Sequence, residues 1–136
     1  MKNPSLIKNE GKIKMQYFLD TYAIIEIVMG NENYREYIFD NEQAICTIFN
    51  LMETHFYFLK NFGPIKADEV YSSVKPIVID IDDSLIKDAN ALKLKHLRSR
   101  MSFADCIGYL TALRFNAKFI TGDYAFKGME NVEFIK

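Results

Sequence analysis

Four acidic residues stand where side chains from distant segments can meet. Asp20 follows directly on the apolar run Tyr17-Phe18-Leu19, and Asp123 stands two residues beyond the run from Lys118 to Thr121, in a Thr-Gly-Asp turn. Asp105 lies three residues after Ser102, at the start of a segment with helical spacing, and Glu53 lies one or two turns into another such segment. Carboxylates brought together repel and, unless protonated, need a counter-charge. Their oxygens suit hard cations such as Mg2+ or Mn2+, and Mg2+ takes few protein ligands, which leaves room for phosphate oxygens. Taken singly, each residue also has a plainer use: Asp20 as a helix cap, Asp105 as the partner of Ser102 in a capping box, Asp123 as a turn residue and Glu53 as an exposed helix residue. The four together carry the expectation of a metal site.

For these carboxylates to converge, the elements must bring their ends to one edge. Ile13–Leu19 reads as a first strand, its run Tyr17-Phe18-Leu19 implying burial on both faces. A helix over Tyr22–Met29 follows, with Ile24, Ile25 and Val28 at helical spacing, and Gly30-Asn31 breaks it. Tyr34, Tyr37 and Ile38 suggest a short second helix, and Gln43–Cys46 a short strand. Thr47 or Asn50 caps the next helix, whose apolar set includes Ile48, Leu51, Met52, Phe56 and Leu59, and Gly63-Pro64 ends it. Ala67–Val74 reads as helical, and Pro76 precedes a strand at Ile77-Val78-Ile79. Asp82 or Asp83 caps a helix with Leu85, Ile86, Ala89, Leu92 and Leu97 inward. Ser102 opens another with Phe103, Ile107, Leu110 and Leu113, before strands at Lys118–Thr121 and Val132–Ile135. Strands alternating with helices imply a mainly parallel sheet of about four to five strands with helices on both faces. In such sheets ligands bind beyond the carboxyl ends of the strands, where Asp20 and Asp123 fall.

With 136 residues the chain suits one domain, divided here into a tail over 1–11 and a domain over 12–136. Eleven Phe and eight Tyr furnish a core. The formal net charge of −1 gives no global attraction for nucleic acid, so a polyanion needs a local basic surface. Cys46 and Cys106 are far apart and only His55 and His96 accompany them, which does not support a zinc site. No apolar run reaches the length of a membrane helix and Met1–Lys14 is polar, so the expectation is a cytoplasmic protein without membrane contact. Glycine-rich phosphate loops are absent.

The short motifs resemble those of the PIN-domain family, which includes toxins of VapBC-type toxin–antitoxin pairs. The matching pieces are Tyr17-Phe18-Leu19-Asp20-Thr21, Glu53, Ser102-Phe103-Ala104-Asp105-Cys106-Ile107 and Thr121-Gly122-Asp123-Tyr124-Ala125-Phe126, in order across residues 13–136. The resemblance implies a three-layer α/β fold and a Mg2+- or Mn2+-dependent endoribonuclease held by Asp20, Glu53, Asp105 and Asp123. In this expectation the metal activates water for in-line attack at phosphorus, and Thr121 orients Asp123 or a metal-bound water. Many relatives carry Ser, Thr or Asn two residues after the first Asp, where this chain has Tyr22.

Lys87, Lys93, Lys95, His96, Arg98 and Arg100 precede Asp105, and Arg98 and Arg100 are the best placed of them to contact RNA phosphates. By family analogy an antitoxin and a homodimer are further partners, with Ile24, Val28, Tyr34, Tyr37, Phe56 and Phe58 as candidates for the face. Asp80 is a remote candidate for metal contact. Two rivals stand beside this reading: a module that keeps the PIN-like fold and binds RNA or protein without turnover, and a phosphotransfer enzyme or receiver-type switch using Asp20 as nucleophile. The second usually needs another Asp where Tyr22 stands.

Overall fold

The computed structural model describes residues 6–9, 12–40 and 42–136, with side chains from Met15 onward apart from residue 41. Its elements are β1 (Leu6–Asn9), β2 (Lys12–Met15), β3 (Tyr17–Leu19), α1 (Thr21–Val28), β4 (Ala44–Ile45), α2 (Ile48–Phe62), α3 (Pro64–Val74), α4 (Asp83–Lys95), α5 (Phe103–Arg114), β5 (Lys118–Thr121) and β6 (Val132–Phe134). Four strands form one parallel sheet in the order β4-β3-β5-β6, which is the expected α/β architecture. The register sets Phe18 beside Phe119 and Leu19 beside Ile120, so β3 and β5 end together and both release their following residues at one edge.

β3 and β5 are central because they are short, apolar and buried on both sides. Phe18 and Phe119 stack at 5.3 Å between ring centroids, and α5 lies close enough that a Cβ on Gly108 would meet Phe18 Cζ at 3.0 Å. Phe126 and Tyr109 complete this cluster at 4.7 and 5.8 Å from the Phe119 ring. Because Phe119 is enclosed on every side, Phe119→Ala should cost about 3–5 kcal/mol, to be read as a lowered midpoint in chemical denaturation. The buried tyrosines tie down the end of the chain: Tyr34 donates to the Ile135 carbonyl and Tyr109 to that of Glu130.

Several elements differ from the sequence reading. The strand expected over 13–19 is two: Lys12–Met15 pairs antiparallel with Leu6–Asn9, and only Tyr17–Leu19 joins the central sheet. Residues 6–9 are therefore a strand rather than tail, while 1–5, 10 and 11 lie outside the described residues. The short second helix is a 3-10 turn at Glu32–Tyr34, started by the Asn31 side chain accepting from the Asn33 N–H. The strand expected at 77–79 is a 3-10 turn over Lys75–Ile77 followed by one bridge, Cys46 to Val78. Pro76, with its fixed φ and no N–H, suits the turn and leaves little strand to pair.

Helix faces also rotated. On α2 the buried side carries Asn50, Leu51, Thr54 and Phe58, whereas Ile48, Met52, Phe56 and Leu59 face outward. Ile86, Leu97, Phe103 and Leu113 are exposed as well. Asp82 is the cap of α4, accepting from the Leu85 N–H, and with Asp88 it pairs with Arg114 of α5.

Candidate active site

Asp20, Glu53, Asp105 and Asp123 line a single cleft of about 720 Å³, together with Thr21, Tyr22, Phe56, Tyr57, Lys60 and Ser102. Each arrives by a local cause. Asp20 is the residue after β3 and the cap position of α1, its N–H still donating to Ile120 as a last rung of the ladder. Asp105 sits at the third position of α5, where its Oδ2 accepts from the Ser102 N–H while Ser102 Oγ accepts from the Asp105 N–H. Asp123 starts the turn after β5, its Oδ1 accepting from the Ala125 N–H. Glu53 projects from the second turn of α2. The plainer uses seen in the sequence are thus present for Asp105 and Asp123, and they fix the carboxylates in place instead of competing with the cleft. In the hydrogen bonds of the described residues, Glu53, Asp105 and Asp123 each commit one oxygen and keep the other.

Two hydroxyls organise the set. Thr121, buried at the end of β5, donates to Asp20 Oδ2 at 2.7 Å and accepts from the Asp123 N–H at 3.0 Å, so it joins both strand-end acids. Thr21 donates to Glu53 Oε1 at 2.7 Å and accepts from the Asn50 amide at 3.1 Å. Asn50 Oδ1 in turn accepts from the backbone and hydroxyl of Thr47, the residue before α2. Glu53 is thereby held by a relay that links the starts of α1 and α2. Thr21→Val, which keeps the shape but deletes both the donor to Glu53 and the acceptor for the buried Asn50 amide, should lower cleavage activity about 10–100-fold, the size typical of an orienting partner, and cost about 1–3 kcal/mol through the unpaired amide, read as a lowered melting temperature on a thermal scan.

The electrostatics are those of acids crowded together. Burial pushes the Asp20 carboxyl up to about 7; the Thr121 hydrogen bond opposes this, while Asp105 and Asp123 add to it. Burial raises Glu53, with Asp105 adding to the shift against the Thr21 hydrogen bond. Burial likewise raises Asp105, Asp123 contributing and the Ser102 contacts and Lys93 opposing. Such mutual disfavouring of the charged forms is relieved by a cation.

The donor set fits a hard divalent ion: all four groups are oxygen donors on one cleft, with Lys60 the cationic side chain in its lining. Among the described residues, no three acidic, histidine or cysteine side chains are gathered tightly enough to chelate an ion unaided. A Mg2+ or Mn2+ that keeps most of its waters would need only one or two direct carboxylates from this set.

Other residues fall differently from the sequence reading. Arg98 and Arg100 are exposed in the segment between α4 and α5 and are not among the residues lining the cleft. Lys93 is the cation whose charge reaches Asp105; its Nζ donates to the Met101 carbonyl and lies 5.6 Å from the Phe103 ring. Lys60 was missed, although Glu53, Tyr57 and Lys60 share the i, i+4, i+7 spacing of one helix face. Thr21 was read as part of a motif and not as a site residue; its position directly after Asp20 was the available signal. Asp80 does not line the cleft. Of the candidate partner-face residues, Ile24, Tyr34 and Phe58 are buried, Val28 and Tyr37 are half-buried, and Phe56 is 64% exposed.

Residues 17–132 match the family model described as PIN domain. No curated protein matches the chain. Among solved structures it is similar to a chain of a toxin-antitoxin complex from Klebsiella pneumoniae, with a TM-score of 0.67 and 17% sequence identity, over 87% of this chain and 96% of that one. At that identity the likeness is one of fold.

Proposed function

Because the chain belongs to the PIN-domain family, we propose that it is a Mg2+- or Mn2+-dependent endoribonuclease whose site is Asp20, Glu53, Asp105 and Asp123. The observation that carries the reading is the convergence of these four carboxylates, from four separate segments, on one cleft. A divalent ion held by these carboxylates would lower the pKa of water and neutralise charge on the phosphate. The chain's own residues do the positioning. Thr121 holds Asp20 and Asp123 in a fixed relation, Thr21 aims Glu53, and the Ser102 box leaves Asp105 Oδ1 for the ion or its waters. Neither histidine lines the cleft, which favours activation of water at the acidic cluster over a histidine general base.

The test is cleavage of a labelled RNA with Mn2+, with Mg2+ and with chelator. Wild-type activity should require the ion, and Asp105→Asn should reduce it at least about 100-fold. Undiminished metal-dependent activity in that variant would refute the role of Asp105.

The reading extends to a cytoplasmic toxin that forms a homodimer and is held by an antitoxin. Its support is the fold likeness to a component of a toxin-antitoxin complex and the outward apolar row Ile48, Met52, Phe56 and Leu59 on α2. No helix among the described residues is long and apolar enough to cross a membrane. Tyr22, a wall of the cleft two residues after Asp20 where many relatives carry Ser, Thr or Asn, favours a second reading, an RNA- or protein-binding module without turnover. RNA binding with no Mn2+-dependent cleavage would select it.

A further inference from the structure

Beside the acidic cleft the molecule presents a group of side chains that the metal chemistry does not use. Tyr124 directly follows Asp123 and is 63% exposed. The Nζ of Lys136 lies 4.2 Å from the centroid of the Tyr124 ring and 4.8 Å from that of Tyr22, which is itself a wall of the cleft. The Nζ of Lys127 lies 5.6 Å from the Tyr124 ring and 5.2 Å from the Phe134 ring, and those two rings are 5.3 Å apart. Both lysines are exposed, and neither enters an ion pair among the described residues.

Core packing does not account for a tyrosine this exposed. Ammonium groups over aromatic faces at an exposed site bind weakly, so they steady the ring yet can exchange it for a better partner. That partner must also satisfy the charge. A chain of net charge −1 with an acidic cleft offers a polyanion no overall attraction, and unneutralised cations beside the cleft supply the local attraction that entry requires. An aromatic face takes any base, but only a base freed from pairing and stacking.

We propose that Tyr124, flanked by Lys127 and Lys136, is a platform that seats an unpaired base and its neighbouring phosphates, so that single-stranded RNA is delivered to the carboxylates next to it. The inference rests on the ribonuclease reading for its substrate. Tyr124, Lys127 and Lys136 do not line the cleft themselves; they border it through Asp123 and through Tyr22, which lies under Lys136, and this puts Lys127 and Lys136, rather than Arg98 and Arg100, beside the carboxylates.

The test uses the full chain and a fluorescent single-stranded oligouridylate, with the duplex of the same length as competitor. Binding is followed by anisotropy in chelator, and kcat and KM by cleavage with Mn2+. Tyr124→Ala should weaken binding and raise KM about tenfold, Tyr124→Phe should restore both because it keeps the π-face, and the duplex should compete poorly. Lys127→Ala with Lys136→Ala should weaken binding and flatten its salt dependence by about two phosphate contacts. Unchanged binding and KM in both the Tyr124→Ala and the double lysine variants, with wild-type cleavage intact, would overturn the platform and leave the nuclease standing. Platform-dependent binding without any wild-type cleavage would support the platform and remove the nuclease. A wild-type chain that binds the single strand no better than the duplex, or not at all, would also overturn the platform.

Discussion

Asp20→Asn is expected to make the metal-free protein more stable while abolishing its activity. The wild-type carboxyl is buried beside Asp105 and Asp123, and its pKa stands at about 7 against an ordinary 3.8. Between those values the folded state holds a proton that the unfolded state has released. Stability from this group is therefore full below about pH 4 and is lost as pH rises through 7. At pH 8 the penalty is of the order of a few kcal/mol, of which relaxation and entry of water leave about 1–2. Asparagine carries no charge and keeps an oxygen to accept from Thr121, so the variant escapes the penalty. In chelator at pH 8 its melting temperature should exceed the wild type's by about 3–8 °C, and the gap should close toward pH 4. Added Mn2+ should raise the wild type and leave the variant nearly unchanged. Cleavage should fall by at least about 100-fold. Equal melting temperatures at pH 8 would show that neither burial nor the neighbouring acids penalise a charged Asp20.

Gly122→Ala should be damaging for a different reason. An added Cβ would stand 2.4 Å from the Ile135 carbonyl oxygen and 2.2 Å from Tyr22 Cε1. The tyrosine can swing away, but the carbonyl belongs to backbone whose N–H, at Ile135, donates to Thr121. Relief of the clash must therefore part the chain from the end of β5 and shift the turn that carries Asp123. A loss of about 2–4 kcal/mol is expected from overpacking against a fixed backbone, together with loss of cleavage. The stability is read from denaturant midpoints and the activity from the RNA assay. A variant that folds with wild-type stability and cleaves normally would mean that this turn is far more yielding than its contacts imply.

How much of this was legible beforehand follows from which interactions are local. Caps and turns are local, so Asp82, Ser102 with Asp105, and the Gly63-Pro64 break could be read directly. The run Tyr17-Phe18-Leu19 also identified a strand buried on both faces. What escaped was set by partners far along the chain. The inward face of α2 contains Asn50, which Thr21 of α1 meets there, and Thr54, whose buried hydroxyl has no hydrogen-bond partner among the described residues, and an apolar pattern alone turns that helix the wrong way. The split between β2 and β3 depends on their different partners, β1 for one and β5 for the other, and a local pattern does not specify which strands pair. Within the cleft, the carboxylates were found through their motifs. Thr21 and Lys60 were not, since a hydroxyl and an ammonium become informative only when something stands opposite them. Arg98 and Arg100 were favoured by nearness in sequence to Asp105, and nearness in sequence did not bring them to the cleft.

The hydrogen bond between Thr121 and Asp20 joins residues 101 positions apart, and β3 finds its inner neighbour β5 across the same distance. Loops that long close late and at an entropic cost that local helices do not face. A growing polypeptide can therefore form α1 and α2 while its first acid still waits for a partner. If the chain cuts RNA, its cutting centre is completed only once β5 and the turn at Asp123 have emerged and reached β3. Unfinished copies made on a message would then lack the means to attack it.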